Sequence, residues 1–461
     1  MPYVSLNPAT NKVLSTHSSW DSRRLAAALE KAAEAQQAWS PRPFAERADI
    51  LRDVAIHLRV NRDRYAELIT LEMGKLLREA RAEVEKCAAG CDYYAQHAET
   101  FLRDEAVESD AGKSYVTYQP LGVVLAVMPW NFPFWQTIRA AAPAIMAGNA
   151  VALKHASNVP QCAQALETIF RESGLPEGLF TTLMIDANDV ADAIASRHVQ
   201  AVTLTGSEVA GRKVAAAAGQ HLKKCVLELG GSDPFIVLKD ADLEFTAEMA
   251  VAARFLNCGQ SCIAAKRFIV VPEVAEDFLA AFTSRVQALV VGDPRQEATQ
   301  IGPMARLDLR DTLHQQVTDS IAQGAVVLAG CQPLEREGVY YAPSILDRVT
   351  ARTRAYHEEL FGPVATVIRA EHEADAIRIA NETRFGLGSS IWSRDVARAE
   401  ELGRRIHAGC TFINGMVKSD PRLPFGGVKA SGFGRELSHH GIREFVNAKT
   451  VWIRQVRATG R

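Results

Sequence analysis

Cys262 is the side chain whose setting in the sequence is best suited to chemistry. It ends the segment Phe-Leu-Asn-Cys-Gly-Gln-Ser-Cys at residues 255–262, between an apolar run at 247–256 and an apolar strand at 263–271. Gly259 permits a tight backbone path, so the thiol is expected in a loop between rigid elements, where it could act as a nucleophile. Most free cysteines are inert core residues, however, and other parts of the chain must supply what a thiol enzyme needs.

Asn131 and Lys154 stand at the ends of two predicted strands. Residues 121–129 and 150–154 are apolar strands, and a predicted helix at 134–147, ended by Gly148, lies between them. The three elements form a β-α-β unit. Because ligands of parallel sheets bind outside the carboxyl ends of the strands, Asn131 and Lys154 fall at a candidate binding edge.

Gly206 and Ser207 follow a predicted strand at 201–205 and open an alanine-rich helix. A glycine turn at a helix start can present backbone N–H groups and a hydroxyl to a phosphate. The spacing G-x-x-x-x-G differs from the dinucleotide fingerprint, and Arg212 and Lys213 do not match the P-loop pattern. A phosphate site and an ordinary strand-to-helix turn both remain open.

Glu228 interrupts an apolar strand at 225–229, just before a Gly-Gly pair. A carboxylate is costly to bury in such a run. Glu228 is therefore either paired structurally or kept for proton transfer with a raised pKa.

The elements that must position these residues follow from the hydrophobic pattern. Residues 22–105 predict amphipathic helices, whose charged residues are interpreted as a solvated face without chemistry. Their apolar positions recur at helical spacing: Leu25, Leu29, Trp39, Leu51, Val54 and Leu58. Alternating strands and helices up to residue 229 predict a doubly wound parallel sheet, and a second α/β domain begins there.

Two extended segments lie outside this alternation. Residues 114–119 predict a strand that could pair with a segment far along the chain. The tail at 444–456, with Val451, Ile453 and Val456, predicts an edge strand available to another subunit.

Composition narrows the class of protein. The 461 residues carry a net charge of -2 and are 48% hydrophobic, which is typical of a globular chain and gives no reason to expect nucleic acid as a partner. Neither a signal peptide nor a bilayer-spanning run is present, so no membrane partner and a cytoplasmic location are expected. The eight cysteines are scattered, are expected to be reduced, and lack zinc-site spacing, so no metal is predicted.

Taken together, the motifs resemble the aldehyde dehydrogenase superfamily over nearly the entire chain. The matching segments are Pro-Trp-Asn-Phe-Pro at 129–133, Leu-Thr-Gly-Ser at 204–207, Leu-Glu-Leu-Gly-Gly at 227–231, residues 257–262, Glu-Leu-Phe-Gly-Pro-Val at 359–364 and Pro-Phe-Gly-Gly at 424–427. The resemblance implies an α/β fold with a Rossmann-type cofactor domain (1–106 and 120–228) and an α/β catalytic domain (229–425). It also implies a small β oligomerisation element (107–119 and 440–461) in a homodimer or homotetramer.

The resemblance also implies a covalent mechanism. Cys262 would attack an aldehyde, while the amide of Asn131 and the backbone N–H of Cys262 hold the oxyanion. Hydride transfer to a nicotinamide would leave a thioester, and Glu228 would activate the water that hydrolyses it. The rivals are a cofactor-independent thiol hydrolase or acyltransferase using Cys262 and Glu228, and a catalytically silent relative. The first leaves the cofactor motifs unexplained, and retention of all three residues argues against the second.

The family pattern assigns the cofactor-binding residues. They are Trp130, Lys154, His155, Ala156, Ser157, Gly206, Ser207, Leu229, Glu359 and Phe361. Many relatives that prefer NAD carry a glutamate three residues after the lysine, where its charge repels a 2′-phosphate. Ser157 occupies that position here. The expected cofactor is therefore NADP, with NAD possible.

The substrate assignment rests on a closer likeness. Segments 154–158, 229–234 and 259–267 look closest to bacterial-type succinate-semialdehyde dehydrogenases. In that group an arginine at Arg139 and a serine at Ser419 bind the far carboxylate, so a short carboxylated aldehyde such as succinate semialdehyde is expected. Another small aldehyde, and an ordinary ion pair for Arg139, remain the alternatives. Ala264 stands where some relatives carry a second cysteine, and Cys258 is expected to be structural rather than redox-active.

Overall fold

The computed structural model describes residues 3–454, so Val456 and the rest of the tail at 455–461 lie outside the described part. The chain begins with an antiparallel hairpin that the sequence did not predict, followed by helices that it did. These elements are β1 (Tyr3–Asn7), β2 (Lys12–His17), α1 (Ser22–Trp39), α2 (Phe44–Val60), α3 (Arg62–Met73) and α4 (Leu77–Phe101). All six apolar residues that predicted the helical pattern are buried, which confirms it.

The first large sheet contains the predicted β-α-β alternation. Its elements in this region are β5 (Val123–Met128), α5 (Trp135–Met146), β6 (Ala150–His155), α6 (Pro160–Glu172), β7 (Phe180–Thr182), α7 (Val190–Ala195), β8 (Val199–Thr205), α8 (Glu208–Gln220) and β9 (Lys224–Glu228). The strand order is β9-β8-β5-β6-β7, all parallel. The carboxyl ends of β5, β6, β8 and β9 therefore meet at one edge.

The chain passes to a second sheet between Glu228 and Asp233. Its elements are β10 (Asp233–Val237), α9 (Leu243–Phe255), β11 (Ala265–Val270), α10 (Ala275–Gln287), α11 (Leu307–Ala322), β12 (Val326–Ala329), β13 (Ser344–Asp347), α12 (Arg354–His357), β14 (Val364–Arg369), α13 (Glu373–Asn381), β15 (Ser390–Trp392), α14 (Val396–Gly403) and β16 (Phe412–Ile413). The order is β12-β13-β14-β11-β10-β15-β16, and only β12 runs antiparallel to its neighbour. The α/β fold class is thus confirmed.

The chain then returns to the first sheet, which no sequence pattern predicted. Strand β17 (Gly432–Phe433) pairs antiparallel with β9, and helix α15 (Ser438–Arg443) follows it. Leu437 and Ile442 join the hydrophobic core of the first sheet. The return matters because it brings residues 425–436 beside Glu228.

A third, three-stranded antiparallel sheet stands apart from the two large ones. It is formed by β3 (Glu105–Ala106), β4 (Lys113–Pro120) and β18 (Val446–Ile453), in the order β18-β4-β3. Val446 pairs with Pro120 and Ile453 with Lys113, which confirms that the early strand pairs with a distant segment. The sheet begins at Glu105, slightly before the predicted segment, and β18 forms an edge. Within residues 3–454 no helix is both long and apolar enough to cross a membrane.

Candidate active site

Cys262 lies in the loop between α9 and β11, as the sequence predicts, and it is half-buried. Two cavities meet at this residue. One, of about 250 Å³, is lined by Trp130, Ser207 and Glu359 among others, and the second, of about 100 Å³, extends towards Ser419. Cys262 and Gln136 line both cavities. A molecule in either cavity can therefore reach the same thiol.

The loop before Cys262 has an unusual backbone that its neighbours hold in place. Asn257, Cys258 and Gly259 all have positive φ angles of 55°, 55° and 70°. A Cβ on residue 259 would collide with the carbonyl oxygen of Gly362, which confirms the role assigned to this glycine. The fully buried guanidinium of Arg254 donates to the carbonyls of Gly259 and Gly362, so the loop is tied to the 359–364 motif.

Asn131 is bonded to the same loop. Its side-chain Nδ2 donates to the backbone carbonyl of Gln260 at 3.0 Å, and its backbone carbonyl accepts from Nδ2 of Asn257 at 2.8 Å. A side-chain amide carries two N–H bonds, and only one has a partner within residues 3–454. The second is available beside the cavity that Asn131 and Cys262 both line.

A buried ion pair beneath Asn131 was missed by the sequence analysis. Lys75 and Glu83 pair with side chains only 1% and 2% exposed, and Lys75 also donates to the carbonyl of Asn131 at 2.9 Å. Glu83 accepts the backbone N–H groups of Phe134 and Trp135, each at 3.0 Å. The sequence carried a signal, because Glu83 recurs with Ala80, Val84 and Cys87 on the buried face of α4.

Glu228 ends β9 in a buried cluster of charges. Both of its carboxylate oxygens lack a hydrogen-bond partner within the described residues, and a Cβ on residue 426 would lie 2.6 Å from Oε1. Burial and the nearby Glu436 carboxylate raise the pKa of Glu228 well above its usual range, although Arg139 opposes this. Glu228 is close enough to Cys262 to affect the pKa of the thiol, but it is not among the residues that line either cavity there.

The thiol itself is not pre-ionised. Burial raises the pKa of Cys262 to about 12, against the opposing charges of Lys266 and Arg139. The Nζ of Lys266 donates to the carbonyl of Cys262 at 2.8 Å and lies 3.2 Å from Oε1 of Glu359. Lys266 was also missed by the sequence analysis. A thiolate at neutral pH therefore requires a base to take its proton.

A third cavity extends the first along the sheet edge. It has a volume of about 380 Å³ and is lined by Lys154, Ser207 and Lys213 among others. Ser207 lines this cavity as well as the one at Cys262. Its hydroxyl caps the N-terminus of α8 by accepting from the N–H of Ala210 at 3.3 Å.

Most of the predicted cofactor residues line these two cavities, but three do not. The lining residues are Trp130, Lys154, Gly206, Ser207, Leu229, Glu359 and Phe361. Trp130 and Phe361 meet edge to face with ring centroids 5.8 Å apart. His155 is instead buried between the carbonyl of Pro133 and the N–H of Ala156, and burial lowers its pKa to about 4. Ala156 and the exposed Ser157 lie in the turn after β6.

Arg139 and Ser419 both line the small cavity, where their surroundings differ. Arg139 is buried, with Nε 2.5 Å from Glu436 and Nη2 donating to Thr205 at 3.2 Å. The hydroxyl of Ser419 accepts from Lys86 at 2.7 Å and from the Trp135 indole at 3.1 Å. Lys86 and Glu436 had no place in the sequence analysis.

Two further predictions concern the site: the role of Cys258 and the absence of a metal. Cys258 is a buried free thiol, and burial raises its pKa beyond the usual range. Between residues 3 and 454 no group of three His, Cys, Asp or Glu side chains could hold a metal ion.

Comparisons with known proteins agree on one family. The sequence profile of the Aldehyde dehydrogenase family matches residues 2–451. A probable succinate-semialdehyde dehydrogenase [NADP(+)] from Synechocystis sp. is 52% identical over 453 residues, covering 98% of this chain and 100% of that protein. The succinate semialdehyde dehydrogenase [NAD(P)+] Sad of Escherichia coli is 46% identical, with 97% of each chain covered.

A solved structure gives the same result. The crystal structure of succinic semialdehyde dehydrogenase from Streptococcus pyogenes, in complex with NADP+ as the cofactor, superposes with a TM-score of 0.96. It is 38% identical and covers 98% of this chain and 100% of its own. The similarity therefore extends over both large sheets.

The buried pair beneath Asn131 generates a stability prediction. Glu83→Gln leaves the Lys75 ammonium buried without a counter-charge, which should cost about 3–5 kcal/mol and lower the apparent Tm by on the order of 5–10 °C. Glu85→Gln is the matched control, because Glu85 lies on the same helix in an exposed pair with Arg59 and should change Tm little. Thermal unfolding scans measure both variants. Equal Tm values for the two would contradict the prediction.

Proposed function

The chain belongs to the aldehyde dehydrogenase family, and we propose on that premise that it oxidises succinate semialdehyde, or a similar short carboxylated aldehyde, with NADP+. The observation that carries the proposal is the position of Cys262 where two cavities meet. A small cavity of about 100 Å³ approaches the thiol from one side, and a larger one from the other. This arrangement suits a small substrate and a separate large cofactor.

The side chains along the larger cavities fit a nicotinamide dinucleotide. The N-terminus of α8 at Ser207 can receive a pyrophosphate, because its backbone N–H groups and helix dipole attract an anion. Lys154 supplies a cation at the far cavity, and Glu359 an acceptor for ribose hydroxyls near Cys262. Trp130, Gly206, Leu229 and Phe361 complete the proposed contacts. When bound, the cofactor supplies the acceptor for the hydride.

Side chains and one backbone N–H of the protein carry out the other steps of the proposed reaction. Glu228, in its ionised form, takes the proton of the Cys262 thiol and passes it to solvent, and the thiolate attacks the aldehyde carbon. The second amide hydrogen of Asn131, with the backbone N–H of Cys262, stabilises the oxyanion. After oxidation the acyl group is held as a thioester on the Cys262 sulfur. Glu228 takes a proton from the water that attacks this thioester; the C–S bond breaks, and Glu228 returns the proton to the departing sulfur, which releases the acid and regenerates the Cys262 thiol.

The buried position of Glu228 sets a condition on that role. Only the ionised carboxylate can accept a proton, and burial and Glu436 raise the pKa of this group, so Glu228 must first lose its proton to solvent. To reach a water beside Cys262, the side chain must turn from Gly426 towards the cavity. Since both oxygens lack partners within the described residues, this rotation breaks no hydrogen bond there.

The choice of NADP rests on the turn after β6. Ser157 is exposed there, three residues beyond Lys154. A hydroxyl at this position can donate to a 2′-phosphate, whereas a carboxylate would repel it. NAD, which lacks the phosphate, can still bind through the contacts that both cofactors share.

The carboxylated substrate is supported by the charges of the small cavity. Arg139, Lys86 and the Ser419 hydroxyl all line it. A terminal carboxylate pointing away from Cys262 would meet these groups. A purely aliphatic aldehyde would leave Lys86, which has no ion-pair partner within residues 3–454, without an anion.

We further propose that the protein is a cytoplasmic homodimer or homotetramer. The eight thiols are all unpaired, as a reducing compartment favours. Strand β18 presents an edge with Trp452 and Ile453 exposed, which another subunit can extend or cover. Light scattering on the purified protein should give two or four times the chain mass, and a monomer would contradict this proposal.

The proposed reaction is tested with short aldehydes, with and without a terminal carboxylate, supplied with NADP+ or NAD+. Absorbance of the reduced cofactor should show the highest kcat/KM for succinate semialdehyde with NADP+. Cys262→Ser should abolish the reaction, and Glu228→Gln should lower kcat by about 10²–10⁴-fold while an acyl-enzyme accumulates. Thioester hydrolysis without any aldehyde-dependent cofactor reduction would instead support a thiol hydrolase.

The cofactor preference is tested at Ser157. Ser157→Glu should lower kcat/KM for NADP+ by on the order of 10- to 100-fold through charge repulsion, with a much smaller change for NAD+. Ser157→Gln is the matched control, since it has the same size without the charge. A strong NAD+ preference in the natural protein that survives in Ser157→Ala would overturn the assignment.

A further inference from the structure

Glu79 is a carboxylate beside the active site to which the proposed reaction gives no role. It lies in the first turn of α4 and is half-buried. Within residues 3–454 no lysine or arginine forms an ion pair with it, and the adjacent Arg78 donates to a backbone carbonyl instead. The hydrogen bond that its carboxylate accepts comes from the loop of Cys262, where the backbone N–H of Asn257 donates to Oε2 at 3.1 Å.

The N–H of Asn257 has no acceptor in the helix that precedes it. The last hydrogen bond of α9 runs from Leu256 to the carbonyl of Ala252, and the residues that follow turn away with positive φ angles. A positive φ angle is unfavourable for a residue with a side chain and persists only where neighbours hold it. Glu79 provides this hold at the first residue of the turn, and an ionised acceptor gives a stronger hydrogen bond than a neutral one.

Asn257 passes this constraint on to Asn131. Its Nδ2 donates to the backbone carbonyl of Asn131 at 2.8 Å and to that of Gln260 at 3.1 Å. The same carbonyl of Gln260 accepts from the side-chain amide of Asn131 at 3.0 Å. The turn at Asn257 and the amide of Asn131 therefore form one hydrogen-bonded unit.

We infer that Glu79 is a positioning residue, whose carboxylate holds Asn257 and through it the Asn131 amide at the place where the oxyanion forms. The inference rests on the proposed function, because it concerns the oxyanion donor of that reaction. Lys75 and Glu83 support the site from the same side, at the carbonyl of Asn131 and at the start of α5.

The charge that strengthens this hydrogen bond is unfavourable where Glu79 lies. Burial raises the pKa of Glu79 to about 7. The charge of Lys75, the hydrogen bond from Asn257 and the charge of Arg78 oppose the rise, and Glu83 adds to it. The carboxylate is thus ionised above neutral pH and gains a proton below it.

The loop presents two further titratable groups on the side facing Glu79. Cys258 keeps its proton, because burial and then the charge of Glu79 raise its pKa, against the opposing charge of Arg254. Arg254 keeps its charge, although burial lowers its pKa to about 10. Glu79 is therefore the group of this contact whose charge changes near neutral pH.

The raised pKa fixes the sign of the effect on stability. A group whose pKa is higher in the folded protein contributes most to stability below its ordinary pKa, and that contribution is lost as the pH rises through the folded value, here about 7. Above this pH the ionised Glu79 lowers the stability of the fold. The structure therefore retains a carboxylate that weakens the fold at the pH where it holds the loop most strongly.

The test is Glu79→Gln, which keeps the length of the side chain and an acceptor for the Asn257 N–H but removes the charge. At pH 8 it should lower kcat by about 3- to 10-fold with KM little changed, because the hydrogen bond is weaker. It should also raise the apparent Tm by about 1–5 °C, because no charge is buried. Both differences should shrink as the pH falls from 8 to 6 and Glu79 of the natural protein gains a proton.

Two further variants separate this role from a purely structural one. Glu85→Gln removes a carboxylate from an exposed pair with Arg59 on the same helix, and should change neither kcat nor Tm appreciably at any pH. Glu79→Met removes both the charge and the acceptor, and should lower kcat by about 10- to 100-fold at pH 6 as well as at pH 8.

The outcomes distinguish the inference from the proposed function. If the natural protein oxidises succinate semialdehyde but the ratio of its kcat to that of Glu79→Gln is constant from pH 6 to 9, the role of Glu79 is wrong and the proposed function stands. A lower Tm of Glu79→Gln at pH 8 would equally make Glu79 a structural residue. If the natural protein reduces neither NADP+ nor NAD+ with any aldehyde, the proposed function fails and the role of Glu79 fails with it.

Discussion

The site depends first on the buried ion pair between Lys75 and Glu83. Glu83 accepts the N–H groups of Phe134 and Trp135 at the start of α5, where the backbone donors of a helix have no partners of their own. Lys75 holds the carbonyl of Asn131 immediately before that helix. One pair of charges therefore fixes both the proposed oxyanion donor and the direction of α5, which carries Arg139 into the small cavity. The ionised pair is tolerable in the interior because its members satisfy one another and three backbone groups.

Buried cations perform the same task elsewhere in the site, mostly on backbone carbonyls. Arg254 joins the loop at Gly259 to residues 360–362, and Lys266 bonds to the carbonyls of Ser261, Cys262 and Ala264. Loops with positive φ angles leave carbonyl groups that no helix or strand can satisfy, and a long cationic side chain reaches several at once. The positive charge that orders the loop also opposes the rise in the pKa of Cys262. The charge of Lys266 thus both holds the loop in place and favours ionisation of the Cys262 thiol.

The sequence could predict what depends on local pattern. Asn131 and Lys154 were placed at strand ends because strand, helix and glycine signals are short-range, and Gly259 was identified because its backbone needs are local. It could not predict partners far along the chain. Glu436 reaches Arg139 only because β17 returns to the first sheet, and Lys86 meets Ser419 across 333 residues. Charged residues on an amphipathic helix usually face solvent, but the start of α5 covers Lys75 and Glu83, and Trp135 and Ser419 cover Lys86.

These long-range contacts explain why Arg139 and Lys86, two of the cations that line the small cavity, have different partners. Arg139 lies on the buried helix α5, beside the two acidic side chains Glu228 and Glu436, and a guanidinium is the side chain best suited to a buried carboxylate. Lys86 lies on α4, whose next charged residue towards the core, Glu83, is already committed to Lys75 and the start of α5. The ion pair that positions Asn131 thereby withholds a neighbouring carboxylate from Lys86. Its ammonium is left with the Ser419 hydroxyl as its hydrogen-bond partner within residues 3–454.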